Sequence, residues 1–238
     1  MFDTQIPLYG IMILLSLAAN IVVVMLIYKK YNFPKNEAIG ALVYENIGIL
    51  FGAAMFSLLT YYGLGAFRIL GGDLDSFDIG LSAYGGVIGA IVCLIIFGIQ
   101  FKKPIKDMLF VFMPSIPLMY AIGKIGCFLA GCCNGIEYSG WGRVMYNYSV
   151  VAPANTYLFP VQLAETIVFT LIFVYMITKS LKGRFDLKTL GISFALCGFG
   201  KFILDYLRMS HAGQVLSINQ IVSIVFIVIG AVIACKQS

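Results

Sequence analysis

Seven apolar runs separated by short charged connections fix what this chain can become before any single residue is weighed. They cover 7–28, 38–63, 80–100, 108–131, 160–178, 190–207 and 217–235. About 20 apolar residues suffice for a helix to cross the hydrocarbon core of a bilayer. The whole chain agrees with that solvent: 61% of its residues are hydrophobic and 11% charged, whereas a soluble domain carries roughly 25% charged residues. The reading is an all-α, polytopic integral membrane protein with seven transmembrane helices, forming one domain over 1–238. The first run lacks a basic leader and is long enough to remain as a membrane helix rather than be cleaved.

Charge then sets the expected orientation. Eleven of the sixteen Lys and Arg residues fall in alternate connections or at the end of the chain: Lys29, Lys30 and Lys35; Lys102, Lys103 and Lys106; Lys179, Lys182, Arg184 and Lys188; and Lys236. By the positive-inside rule those loops are cytoplasmic, which puts the N-terminus outside and the C-terminus inside. The net charge of +5 is accounted for by this bias, without nucleic acid.

The five other cations are Arg68, Lys124, Arg143, Lys201 and Arg208, all within helices or near their outer ends. An ammonium facing hydrocarbon costs about 2.5–3.5 kcal/mol at mid-span, so Lys124 and Lys201 require a polar cavity, a partner or an anionic ligand. Arg68 has Asp73, Asp75 and Asp78 beside it, which suits simple pairing. The intramembrane acids are Glu45, Glu165 and Asp205, and Lys201 and Asp205 stand four apart on one helix face, the spacing of an internal ion pair. Arg208 continues that face.

The longest connection, 132–159 on the outer side, is broken by Gly135, Gly140, Gly142 and Pro153 and carries Tyr138, Trp141, Tyr146, Tyr148 and Tyr157. Those aromatics suit the headgroup level, and two readings stay open, a lid or an interfacial belt. Small residues recur at close spacing, as in Gly48 and Gly52, Gly85, Gly86 and Gly89, and Gly123, Gly126 and Ala130, which lets helices approach closely in lipid. Cys127, Cys132 and Cys133 cluster in sequence, but Cys93, Cys197 and Cys235 are scattered and His211 is the one histidine. That spacing argues against a paired structural zinc site and for small apolar helix residues. No metal and no cofactor are expected.

Several separated motifs resemble, in order, those of the bacterial prolipoprotein diacylglyceryl transferases. They are Tyr9-Gly10; the segment 80–89 around Tyr84, Gly85 and Gly86; the run 124–135, Lys-Ile-Gly-Cys-Phe-Leu-Ala-Gly-Cys-Cys-Asn-Gly; Trp141-Gly142; the run 159–165, Phe-Pro-Val-Gln-Leu-Ala-Glu; the run 201–208 from Lys201 to Arg208; and the run 216–220, Leu-Ser-Ile-Asn-Gln. The resemblance implies transfer of the diacylglyceryl moiety from phosphatidylglycerol to the lipobox cysteine of a secreted precursor, at the outer face of the bacterial cytoplasmic membrane. It also implies the site. Tyr84, Lys124, Lys201 and Asp205 are the catalytic candidates, with Lys124, Lys201 and Arg143 as phosphate-side cations and Asp205 orienting Lys201. Tyr9, Gly85, Gly86, Gly126, Gly135, Gln162, Glu165 and Arg208 complete the substrate contacts.

The chain departs from the family pattern at chemically important places. Tyr84 stands where the family carries a histidine, and a phenol with an ordinary pKa of about 10 is a poorer base. Lys124 and Lys201 replace arginines, exchanging a bidentate phosphate fork for a point charge. Cys197, Ala54 and Phe159 replace a tyrosine, an arginine and a histidine. The alternative expectation is therefore a catalytically altered relative that binds lipid or lipoprotein, or one that uses another thiol or hydroxyl acceptor. A small-solute transporter is disfavoured by the absence of paired half-chain repeats.

Overall fold

In hydrocarbon every backbone N–H and C=O must find its partner inside the element, and the chain meets that demand with helices. The computed structural model describes residues 5–62, 81–147, 149, 151–211 and 215–236. Eight α-helices occur among them: α1 (Gln5–Ile27), α2 (Lys35–Tyr62), α3 (Ala83–Gln100), α4 (Ile105–Phe112), α5 (Ile116–Ala130), α6 (Val161–Leu181), α7 (Leu187–Asp205) and α8 (Ile218–Cys235). They make seven spans, because α4 and α5 join into one crossing over Ile105–Ala130. The join is a 3₁₀ turn, Met113–Ser115, at Pro114, whose ring removes a backbone donor and disrupts the α ladder. Arg68 with Asp73, Asp75 and Asp78, and the expected span edges at Gly63 and Gly80, lie outside the described residues, as does Tyr148.

Expected and observed span edges otherwise differ by three residues or fewer, and side-chain caps set the starts of α7 and α8. Asp186 accepts the Thr189 N–H at 2.7 Å to start α7. Ser217 starts α8 with a reciprocal box, its hydroxyl accepting the Gln220 N–H while the Gln220 side chain accepts the Ser217 N–H.

Two helix pairs are seamed by glycine. A Cβ placed on Gly52 would collide with the Gly85 carbonyl oxygen, and one on Gly85 with the Gly52 carbonyl, so α2 and α3 meet backbone to backbone. Gly191 and Gly230 do the same for α7 and α8, where an added Cβ would stand 2.6 Å and 2.5 Å from the opposing carbonyl oxygens. In lipid no hydrophobic force draws helices together, so this closeness supplies the packing. Leu14, Phe51 and Leu171, all about two-thirds exposed, mark the lipid-facing surface.

The main apolar core lies toward one end of the bundle. Val24, Ile27, Phe33, Leu42, Leu94, Phe97, Met108, Phe112, Met176 and Leu190 are buried together where the helices meet the basic connections. Lys103 bridges to Glu37 at 2.6 Å on that side. The bundle is thus sealed at its basic end. At the opposite end the connection 132–159 is knitted to the helix ends by backbone bonds. Val144 and Leu158 exchange N–H···O=C bonds of 3.0 and 2.8 Å, the Tyr138 N–H reaches the Tyr157 carbonyl at 2.9 Å, and the Ile136 N–H reaches the Leu207 carbonyl at 3.0 Å. Trp141 projects almost fully exposed from this ladder, as an aromatic anchor at headgroup level does.

Candidate active site

Glu165, in the second turn of α6, has no solvent exposure, and a carboxylate so placed must be compensated. Three cations from different parts of the chain do this. Lys201 of α7 reaches Oε1 at 2.6 Å, Lys124 of α5 reaches Oε2 at 2.9 Å, and Arg208, just past α7, reaches Oε2 through Nη2 at 3.4 Å. Tyr120 closes the group by donating its hydroxyl to Oε1 at 2.8 Å while accepting from Lys201 Nζ at 2.7 Å. Both ammonium groups also lie near its ring, Lys124 Nζ 5.2 Å and Lys201 Nζ 5.3 Å from the centroid.

Three positive charges meeting one carboxylate leave a surplus of two, and Asp205 nearby offsets at most one. The Nε of Arg208 has no hydrogen-bond partner among the described residues. The cluster therefore keeps a net positive charge. It forms the polar wall of a cavity of about 940 Å³ lined by Tyr9, Tyr84, Gly86, Lys124, Lys201, Asp205 and Arg208, and also by Leu17, Phe56, Phe169, Phe194 and Phe226. A charged cluster beside aromatic and aliphatic walls matches the chemistry of an anionic amphiphile.

Several expected contacts are placed differently. Lys201 does not pair with Asp205, four residues on. Its ammonium crosses to Glu165, while Asp205, the last residue of α7, accepts from the Ser217 hydroxyl and from Asn219 Nδ2 at 3.5 Å, with His211 Nδ1 also 3.5 Å away. Asp205 thereby buckles the start of α8 to the end of α7, and Glu165 is what orients Lys201. Arg143 does not join the other cations. It is exposed, donates to the Ser139 carbonyl at 2.7 Å and stacks 4.2 Å over the Tyr157 ring. Gly85 is consumed by the α2–α3 seam. Gly126 faces Tyr9 and Met12 of α1, and Gly135 pairs with Arg208 in an antiparallel bridge under Phe159. Gln162 is buried and donates to the Cys132 carbonyl at 2.7 Å.

Tyr84 is in the cavity but not as a free base. Its hydroxyl is bonded to Ser223 Oγ, and Ser223 spends its own proton on the Asn219 carbonyl at 2.7 Å. Tyr84 is therefore the donor of that pair. Ser223 and Tyr120 are site residues that the sequence reading missed. Tyr120 carries a readable signal, since Tyr120, Lys124 and Cys127 recur at helical spacing on one face of α5.

The cysteines also depart from expectation. The Sγ atoms of Cys127, Cys132 and Cys133 lie within 4.8 Å of one another, on the cavity wall beside Lys124. The helix ends at Gly131 (φ 66°), and Cys133 itself takes φ 56°, which folds the two later thiols back over Cys127. Hydrogen bonds from the Cys127 and Cys132 thiols, and then the charge of Lys124, hold the Cys133 thiol well below its ordinary range. The same sharing pushes Cys132 up.

Comparison with known proteins identifies the family. Residues 1–236 match the family model described as prolipoprotein diacylglyceryl transferase. A phosphatidylglycerol--prolipoprotein diacylglyceryl transferase of Clostridium tetani is 28% identical over 97% of this chain and 92% of its own length. The protein of that name in Finegoldia magna is 29% identical over 99% and 92% respectively. One from Clostridium perfringens, carrying the same name with the number 2, is 28% identical over 66% of this chain and 62% of its own. With a family match that spans almost every residue, the chain belongs to the prolipoprotein diacylglyceryl transferase family.

Proposed function

We propose that the protein transfers the diacylglyceryl group of phosphatidylglycerol to the lipobox cysteine of a secreted precursor, at the outer leaflet of the bacterial cytoplasmic membrane. The supporting observation is the surplus of positive charge that Lys124, Lys201 and Arg208 retain around Glu165 in a largely apolar cavity. A phosphodiester headgroup carries one negative charge, and the departing glycerol phosphate develops a second. A cluster with positive charge in reserve binds the first and stabilises the second, which lowers the barrier because the donors are already in place. The acyl chains lie against Phe56, Phe169, Phe194 and Phe226. The thiol gives its proton to water, its sulfur forms the bond to the glyceryl carbon, and the electrons of the broken carbon–oxygen bond leave with glycerol phosphate.

The second reading, a relative that binds lipid without transferring it, draws on Tyr84, which donates a hydrogen bond where a base is wanted. One assay separates them. Purified protein given headgroup-labelled phosphatidylglycerol and a lipobox peptide is expected to release glycerol phosphate in step with lipidated peptide. Retention of phosphatidylglycerol with neither product would overturn the transferase reading in favour of the binding one.

A further inference from the structure

Thiol transfer needs a thiolate, and the cavity leaves its source unassigned. Free cysteine has a pKa near 8.5, Tyr84 is committed as a donor, and His211, the one histidine of the chain, lies against Asp205 and does not line the cavity. Cys127, Cys132 and Cys133 stand on that cavity's wall, all as free thiols. Three sulfurs sharing one tetrahedral zinc ion at ~2.3 Å stand about 3.8 Å apart, and these three lie within 4.8 Å of one another.

The segment bearing two of them is braced as a ligand loop has to be. Gln162 Nε2 donates to the Cys132 carbonyl at 2.7 Å, and Asn134 Nδ2 and Ser149 Oγ each donate to the Gly131 carbonyl at 3.0 Å. Cys132 is half-buried and Cys133 exposed, so the cluster is open on one side. Lys124 stands one helical turn before Cys127, on the same face of α5.

We infer that Cys127, Cys132 and Cys133 form a three-thiolate zinc site whose fourth position opens into the cavity and takes up the acceptor thiol. This rests on the proposed transfer to a thiol. The acceptor binds as a thiolate and releases its proton to water. Its sulfur electron pair then forms the new bond to the glyceryl carbon, the electrons of the broken carbon–oxygen bond leave with glycerol phosphate, and the thioether, a weaker ligand, departs. Zinc thus does the work of the family's histidine. It also keeps three neighbouring thiols from oxidation on the outer side of the membrane.

The test uses the detergent-purified full-length protein, reduced and freed of metal, titrated with Zn²⁺ and separately with Co²⁺ as a spectroscopic probe. Expected are one metal per chain, a thiolate-to-cobalt charge-transfer band that Cys127→Ser and Cys133→Ser abolish, and a change in that spectrum on adding a lipobox peptide but not its Cys→Ser form. Lipidation is expected to fall on the order of 10²–10⁴-fold without metal and to return with zinc, the range positioned proton-transfer groups supply. Absence of metal binding by the reduced protein, a spectrum blind to the peptide thiol, or equal lipidation by the metal-free protein would each overturn the inference, and the last would leave the transferase reading intact. A cobalt spectrum that responds to the peptide thiol while no glyceryl transfer occurs upholds the site and overturns the transferase reading instead.

Discussion

One residue, Glu165, carries the electrostatic balance of the cavity, because Lys124, Lys201 and Arg208 all lean on it. Removing one member of a buried ionic group leaves the rest uncompensated and costs about 3–5 kcal/mol. Glu165→Ala is therefore expected to lower the thermal unfolding midpoint of the purified protein markedly, while Arg143→Ala, whose side chain is exposed, leaves it nearly unchanged. Lys201→Met should cost transfer activity on the order of 10²–10³-fold, the size of losing one preorganised donor to developing charge, with Lys201→Arg recovering much of it. Tyr84→Phe deletes only a donor to Ser223, so activity within about tenfold of the parent is expected; a collapse would restore Tyr84 as a base. The need of Lys124 and Lys201 for a counter-charge was legible in the sequence, since hydrocarbon forbids a bare ammonium. Its identity was not. Local spacing favours Asp205 for Lys201, but a lysine stem reaches another helix, and Glu165 lies 36 residues earlier.

At the scale of the element, helix existence was written in the apolar runs, and the edges in caps that hydropathy does not see. The α7 cap gives a pH prediction. Hydrogen bonds from the Thr189 backbone N–H and then its hydroxyl hold the Asp186 carboxyl below its ordinary range. A depressed folded-state pKa means the stabilisation is present above the ordinary carboxylate range and lost as pH falls through the folded value. Asp186→Ala should thus lower stability by about 1 kcal/mol at neutral pH and by almost nothing at acidic pH, measured by thermal unfolding across pH. The glycine seams were readable as spacing, but which helices they join was not, because several helices carry small residues. With Gly52 and Gly85 backbone to backbone, Gly52→Leu must force α2 from α3, and overpacking of that kind costs roughly 1–3 kcal/mol or more. Loss of folded protein in detergent checks it. The ladder in 132–159 escaped the sequence, since isolated bridges leave no periodic pattern, and so did the meeting of the three thiols, which depends on positive φ at Gly131 and Cys133.

Across the whole molecule, an apolar core closes the basic end and the cavity gathers its charges toward the other, so sidedness decides which leaflet supplies the substrate. The distribution of Lys and Arg argues for a cytoplasmic C-terminus; a C-terminal fluorescent-protein fusion should fold and a phosphatase fusion at the same point should stay inactive. The central claim is that the cluster around Glu165 holds an anionic headgroup, and the lipid retained through gentle purification tests it most directly. Mass spectrometry of the wild-type protein should find phosphatidylglycerol enriched over zwitterionic lipid relative to the source membrane, with the enrichment lost in Lys124→Met/Arg208→Met. The same lipid mixture in both proteins, matching the membrane, would contradict the account.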